Sequence, residues 1–479
     1  MQWRERLDFM SFYPQEYLQK KAYQLILLFF LVCVIGGSFA FHAAHADDGN
    51  RGDGDTAVVD GVSYLSPKLL DQLYDHPTLR QSGARSCRAI FVLGQRRAEQ
   101  KFDLSATLSG ERQLASNFKT SSRDPISAQV RGYDRDYDDV YDLELSARYR
   151  LYDWGVGEAR VRSETQRLAA ERLSHRVNLT NVVQDILRVV IQIENARQEV
   201  TYREQALTEI APHVTAIEAQ GKAGSIGLAQ VRETKLSVLN AEIALQRVQR
   251  RVDESLKELQ SSFKLNYEDA RPLLDAFLAS RDDEILEIDA QDWTLVRVLD
   301  ARIAGQKDDL IAIENERYPR VDSVLEATIF DTTDFESEYQ LVGRLEFSLP
   351  LYDGGANKAR QQEKSWQVSE LISQREEQLR IHQTDTQQGK IILKRRAVEM
   401  KTVKEQLEDI EGRYQSLSAL VGNSLVSRQQ IIQLLGERTQ KMIELSQLEW
   451  QQEFGFVRMN SLANNLTPLL GIHLGDNQC

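Results

Sequence analysis

The chain has 479 residues, 27 % of them charged and 42 % hydrophobic, with only 9 Pro and 26 Gly and a formal charge of -13. That acidic balance excludes a nucleic-acid binder, which needs a basic face to release counterions from phosphates. Gln, Glu, Leu, Arg and Ala crowd the second half, the make-up of long helices with wet outer faces.

In chain order, Arg4, Arg6, Lys20 and Lys21 precede the apolar run "LILLFFLVCVIGGSFAF", and "AHA" at 44–46 offers small residues around a cut before Asp47. Residues 1–46 therefore read as a signal peptide; an uncleaved membrane anchor is the rival, because the run sits at the lower limit for crossing a bilayer. Val32 occupies the place where a lipid-anchored start at Cys33 would want a small residue. Residues 47–62 are rich in Gly and Asp and poor in apolar side chains, so a disordered lead-in is expected.

A first structural repeat is expected over 63–265, opening on a helix. The stretch 101–110 alternates Phe102, Leu104, Ala106 and Leu108 with Asp103, Ser105, Thr107 and Ser109, and 139–152 sets Tyr141, Leu143, Leu145, Ala147, Tyr149 and Leu151 against Asp142, Glu144, Ser146, Arg148 and Arg150. Period two means strands, and their length suits a tilted crossing of a membrane with the polar face toward a lumen. A long polar connection, 111–138, joins them. Beyond "LYDWGVGEAR" at 151–160 the period becomes helical, with Val248, Val252, Leu256, Leu259 and Phe263 stepping by three and four as a coiled-coil seam.

Residues 266–292 read as a linker or equatorial segment, and a second repeat is expected over 293–466 before a tail at 467–479. Its strands fall at about 320–330, with Val321, Leu325, Ala327 and Ile329 on one side, and at 339–351, where Tyr339, Leu341, Gly343, Leu345, Phe347, Leu349 and Leu351 share a face. "LYDGGANKAR" at 351–360 then echoes the earlier decapeptide 200 residues on, followed by the helical seam Leu407, Ile410, Tyr414, Leu417 and Val421. At both places a strand must swing into a helix. Gly155, Gly354 and Gly355 permit the change of dihedrals, while Tyr152 and Tyr352 suit a membrane interface. Tyr152, Asp153, Gly155, Pro350, Tyr352, Asp353, Gly354 and Gly355 are thus the candidate joint residues.

Two halves of this order, behind a signal sequence, resemble the TolC-type outer-membrane channel family. "PLYDGG" at 350–355 and "RYP" at 317–319 are the sharpest matches, and the 200-residue offset pairs Gln230 with Gln430 and Val231 with Ile431. Aligning "PTLR" at 77–80 with "TLVR" at 294–297 also brings Ala84-Arg85 onto Ala301-Arg302. The resemblance implies an α+β membrane protein: a long α-helical coiled-coil tunnel in the periplasm, with four strands per protomer contributing to a trimeric twelve-stranded transmembrane β-barrel in the outer membrane. The implied partners are two further copies of the chain, outer-membrane lipid, a periplasmic adaptor (membrane fusion) protein and an inner-membrane ABC or proton-driven transporter. No cofactor or metal is implied. Gly224, Ser225, Gln230, Gly422, Asn423, Ser424, Gln430 and Gln433 would stand at the periplasmic entrance and meet the adaptor.

The sequence departs from the family pattern in places. Gln430 and Gln433 stand where many members carry Asp, which puts a cation-binding acidic entrance in doubt. In the first half "RLYD" replaces "PLYD", and "KFD" at 101–103 stands where a pre-strand Pro is usual. Absence of a lipid-attachment Cys tilts the expected cargo toward type I protein secretion over drug efflux, by analogy alone.

No catalytic pattern competes. His42, His45, His76, His175, His213, His382 and His473 form no HExxH pair, no G-x-S-x-G elbow occurs, and "GVG" at 155–157 lacks the third Gly of a dinucleotide fingerprint. Cys87 and Cys479, far apart in an exported chain, do not make a disulfide framework and read as unpaired. The other function class is a periplasmic or surface coiled-coil scaffold without a pore, which a continuous lipid-facing stripe on the strands disfavours.

Overall fold

The computed structural model describes residues 67–111, 140–280, 288–330, 339–420 and 427–472, all within one compact unit, Ser63–Cys479. The expected signal peptide and lead-in, the expected connection 111–138 apart from Glu111, and residues 331–338 lie outside the described residues. The elements are α1 (Pro67–Tyr74), α2 (Pro77–Ala98), β1 (Asp103–Glu111), β2 (Val140–Tyr152), α3 (Val156–Lys222), α4 (Leu228–Phe263) and α5 (Tyr267–Ser280). After a short 3-10 turn follow α6 (Thr294–Asn315), β3 (Arg320–Ile329), β4 (Tyr339–Ser348), α7 (Ala356–Leu420), α8 (Arg428–Leu462) and α9 (Leu466–Leu469).

The order repeats helix, strand, strand, long helix, helix. Helices α2 and α6 each have 22 residues, while α3 and α7 have 67 and 65. A 67-residue helix reaches on the order of 100 Å at 1.5 Å per residue. No Pro interrupts α7, and α3 runs through its single Pro212, at the cost of one ladder hydrogen bond. Ion pairs spaced one turn apart, such as Arg203–Glu199 and Arg395–Glu399, line these helices and each contributes a few tenths of a kcal/mol.

Packing along α3 is concentrated at three levels. Near its start Val156 and Ala159 meet Ala312 of α6. Midway, Leu179 to Ile193 form the main core with Leu259, Leu273, Leu274, Phe277, Val457, Leu466 and Ile472. At the far end Ile210 and Ile217 pack on Ile431, Ile432 and Leu435 of α8. The segment 266–292, expected as a linker, thus contains a 14-residue helix, α5, whose apolar face closes the main core. Burying Leu273, Leu274 and Phe277 removes enough apolar surface to order that helix despite Pro272 inside it.

One expectation is corrected here: Cys87 on α2 is disulfide-bonded, and its partner lies outside the described residues. Leu79 of the same helix shares the main core with Leu470 and Ile472. His175 is a packing residue on α3, its Nδ1 2.6 Å from Ser82 Oγ of α2, with burial pushing its pKa below the usual value.

The four strands form one antiparallel sheet in the order β1-β2-β3-β4, so the two hairpins are joined through β2 and β3. β1 and β4 are its two edges. One face is apolar and uncovered: Leu104, Leu108, Tyr149, Leu341, Leu345 (60 % exposed) and Phe347 (73 %) lie on it. The other carries ions. Arg344 pairs with Glu326 and Glu346, Arg148 approaches Glu346 at 3.8 Å, and Asp322, only 3 % exposed, takes Arg320 at 2.8 Å and Arg150 at 3.6 Å. Val324 interrupts this charged face. Its cross-strand neighbours are Arg148 and Arg344, whose aliphatic stems shield an apolar side chain that is 1 % exposed.

Candidate functional site

The repeated decapeptides fold into the same device twice. β2 ends in a register shift between Arg150 and Tyr152, and two consecutive residues then take positive φ, Trp154 (58°) and Gly155 (77°), before α3 begins. In the second half Gly354 (68°) and Gly355 (89°) do the same before α7. The preceding aspartates close both turns. Asp153 accepts the backbone N–H of Gly155 at 3.1 Å and of Gly157 at 2.8 Å; Asp353 accepts those of Gly355 at 2.9 Å and Asn357 at 2.7 Å. Each carboxylate thus satisfies N–H groups that the first helical turn leaves without partners, at the helix end where negative charge is favoured.

The amides of Asn357 and then Gly355 hold the Asp353 carboxyl below its ordinary pKa. The cap's contribution is therefore present throughout the neutral range and is lost only as pH falls through that lowered value.

Trp154 occupies the position Gly354 holds in the second copy. A left-handed conformation costs an L-residue about 1–2 kcal/mol, and here side-chain contacts offset that cost. The indole donates to the Pro319 carbonyl at 2.7 Å, and its ring meets Tyr152 and Tyr318 at centroid distances of 5.1 Å. Asn315 then donates to the Trp154 carbonyl at 3.0 Å, tying the end of α6 to the first joint. Tyr152 and Tyr352 are exposed beside the apolar face, as is Leu351, and Pro350 leads β4 out of the sheet.

At the opposite end, α3 and α4 are joined by a tight turn. Gly224 takes a φ of 74°, and Ser225 donates both its N–H (3.0 Å) and its hydroxyl (2.8 Å) to the Gln220 carbonyl. The equivalent turn between α7 and α8 holds Gly422, Asn423 and Ser424, which lie outside the described residues. Gln230 and Gln430 hold corresponding places, each donating its backbone N–H to the residue three before it, Gly227 or Ser427. They differ in side-chain work: Gln430 Oε1 accepts the Ser427 N–H at 3.2 Å in a capping box that opens α8, while Gln433 is exposed one turn on.

Sequence reasoning misses the clamp behind this tip. Arg438 of α8, its side chain 14 % exposed, pairs with Glu209 of α3 and with Glu411 of α7 at 3.3 Å and lies over the Tyr414 ring, joining three helices. Nothing local marks it out, since its partners are 229 and 27 residues away. Among the described residues no cluster of ligating side chains suits a metal.

A four-stranded sheet with one apolar face, continued by helices of 65 and 67 residues, is the fold found in solved outer-membrane channels. Comparison with known proteins agrees. Residues 72–263 match the family model described as outer membrane efflux protein. The structure is similar to the outer membrane protein VceC of Vibrio cholerae, with a TM-score of 0.68 and 16 % identity, covering 84 % of this chain and 95 % of that one. It is also similar to the Campylobacter jejuni CmeC outer membrane channel (0.68, 11 % identity, 83 % and 85 % covered) and to the open state of the Neisseria gonorrhoeae MtrE outer membrane channel (0.60, 13 %, 86 % and 90 %). No curated protein sequence matches. The first half of the chain thus carries the sequence pattern of the outer membrane efflux protein family, and both halves carry the fold of its channels.

Proposed function

We propose that three copies of this chain close into one barrel and tunnel, forming the passive outer-membrane conduit of a tripartite export system. The observation that carries this reading is the sheet itself: among the described residues it has four strands, an uncovered apolar face, a charged face opposite, and two edges with no strand paired to them. Four strands cannot close alone, and open edges are not tolerated in hydrocarbon, so each β4 must meet the β1 of another copy. The long helices support it independently. Leu236, Leu239 and Ile243 on α4, and Trp366, Ile391 and Val398 on α7, lie uncovered on helices otherwise rich in charge, as expected of faces awaiting a neighbouring copy.

The tip at Gly224, Ser225 and the start of α8 is the end available to a periplasmic adaptor, which in turn links the conduit to an inner-membrane pump. The tilt toward protein secretion rests on the missing lipid-attachment Cys alone. The matching family description names efflux, and small-molecule efflux is the branch carried forward.

Gln430 and Gln433 would place neutral amides at the entrance. An amide contributes only a dipole where a hard cation wants carboxylate oxygens. Purified protein in planar bilayers should therefore open a steady pore that divalent cations, added from the helical side, block weakly. Changing both Gln430→Asp and Gln433→Asp should strengthen that block; an Asp at 430 still offers an acceptor at the helix start. Absence of any pore would favour the scaffold reading, and strong block of the unaltered channel would remove these two residues from the entrance.

A further inference from the structure

A cavity of about 790 Å³ lies where the sheet turns into the helices, between the end of β2, the end of α6 and the joint that opens α7. Six cationic side chains line it: Arg150, Arg160, Arg317, Arg320, Lys358 and Arg360, against the carboxylates of Asp153, Glu316 and Asp353. Those carboxylates are already engaged. Asp153 and Asp353 hold the backbone N–H groups of the two joints, and Glu316 takes both Arg160 and, at 3.0 Å, Arg360.

Two of the six cations are not paired with a carboxylate among the described residues. Among the described residues Lys358 has no ion pair or hydrogen bond from its side chain, and Arg317 donates only to the hydroxyl of Tyr318, at 2.8 Å, while lying over its ring. Arg150 is ion-paired, with Asp322 at 3.6 Å and with Asp153 at 3.8 Å, but its buried Nε has no hydrogen-bond partner. A buried guanidinium N–H without an acceptor is costly unless something supplies one. Positive charge therefore exceeds negative here, in a chain whose overall charge is -13.

The side of the sheet matters. Arg150, Arg320 and Ser348 belong to the charged face that carries Arg148 and Glu346, not to the apolar face that carries Leu345 and Phe347. In a closed barrel that face looks into the lumen. Resting on the channel reading above, we propose that this cavity is a binding site for a polyatomic oxyanion, a phosphate or carboxylate group borne by cargo, and that it makes the base of the barrel favour anions. Planar guanidinium groups supply paired donors to such oxygens, and the ammonium of Lys358 adds a point charge. Three copies would repeat the site around the throat, where low-dielectric walls focus the field.

The test uses purified protein in neutral phosphatidylcholine bilayers, with inorganic tripolyphosphate as the probe and the reversal potential in a KCl gradient as the second reading. The unaltered channel should prefer chloride over potassium and be blocked by tripolyphosphate added from the barrel side. The double variant Arg317→Gln, Lys358→Gln, which leaves the Glu316 and Asp322 pairs in place, should need roughly tenfold more tripolyphosphate for the same block and lose its chloride preference. A channel that prefers potassium, or a block equal in both proteins, would overturn the site. Repeating the measurement in phosphatidylglycerol bilayers separates the sources: block that persists supports cargo, and block that vanishes overturns cargo in favour of a lipid phosphate. Protein that opens no pore at all overturns the channel reading itself, whereas a conducting channel indifferent to tripolyphosphate overturns only this inference.

Discussion

Leu345→Arg should nearly abolish assembly in the membrane, while Arg344→Leu, its neighbour on the opposite face, should leave most of it intact. Leu345 stands near the middle of β4, 60 % exposed on the apolar face, opposite Ser323 in the ladder. A charge set toward lipid near the midplane costs about 2–4 kcal/mol, and the cost recurs in every copy of a closed barrel. Arg344 instead pairs with Glu326 and Glu346, all at least one-fifth exposed. Its loss removes solvent-screened pairs worth at most about 1 kcal/mol each. The yield of detergent-resistant oligomer from isolated membranes reads both variants, and normal yield from Leu345→Arg would reverse the assigned faces.

The second large effect belongs to the joint that opens α7. Replacing Gly354 and Gly355 together by Val should cost roughly 2–4 kcal/mol per copy, since each left-handed residue costs about 1–2 kcal/mol without Gly and a β-branched side chain adds to this. Space is not the obstacle: a Cβ at either position would meet no atom within 4 Å. The penalty is in the backbone alone, so Gly354→Asn, whose side chain tolerates that conformation, should be nearly neutral. Thermal unfolding of the purified oligomer distinguishes the two, and equal midpoints would show that the joint does not depend on these dihedrals. The first copy shows why one bulky residue is tolerated there: Trp154 is held by Pro319, Tyr152 and Tyr318, and neither Val would have such anchors.

Much of this architecture is legible in the sequence because its signals are local. Alternation over 339–348 and 141–151 marks strands whose faces differ in chemistry, and the duplicated "LYD-x-G" marks the places where a strand must become a helix. What escapes depends on partners far along the chain. α5 looks like a linker until the faces of α3 and α4 that cover Leu273, Leu274 and Phe277 are known. Val324 breaks the pattern of its strand because Arg148 and Arg344 shelter it from two neighbouring strands. The three-helix clamp at Arg438 has the same origin.

Other signals are present but ambiguous. Ser427-x-x-Gln430 has the spacing of a capping box, a local use for Gln430 that competes with a place in the pore wall. Asp153 and Asp353 carry the joint's hydrogen bonds, although the glycines beside them attract attention first. Each carboxylate stands two and four residues before the amides it accepts.

The central claim is that one chain supplies four strands to a barrel that only further copies can close. Native mass spectrometry of the complex extracted from outer membranes in mild detergent tests it most directly. A species of three chains, with no stable species of one or two, is the predicted result. A single folded chain in the membrane fraction, or a monomer released in soluble form, would contradict it.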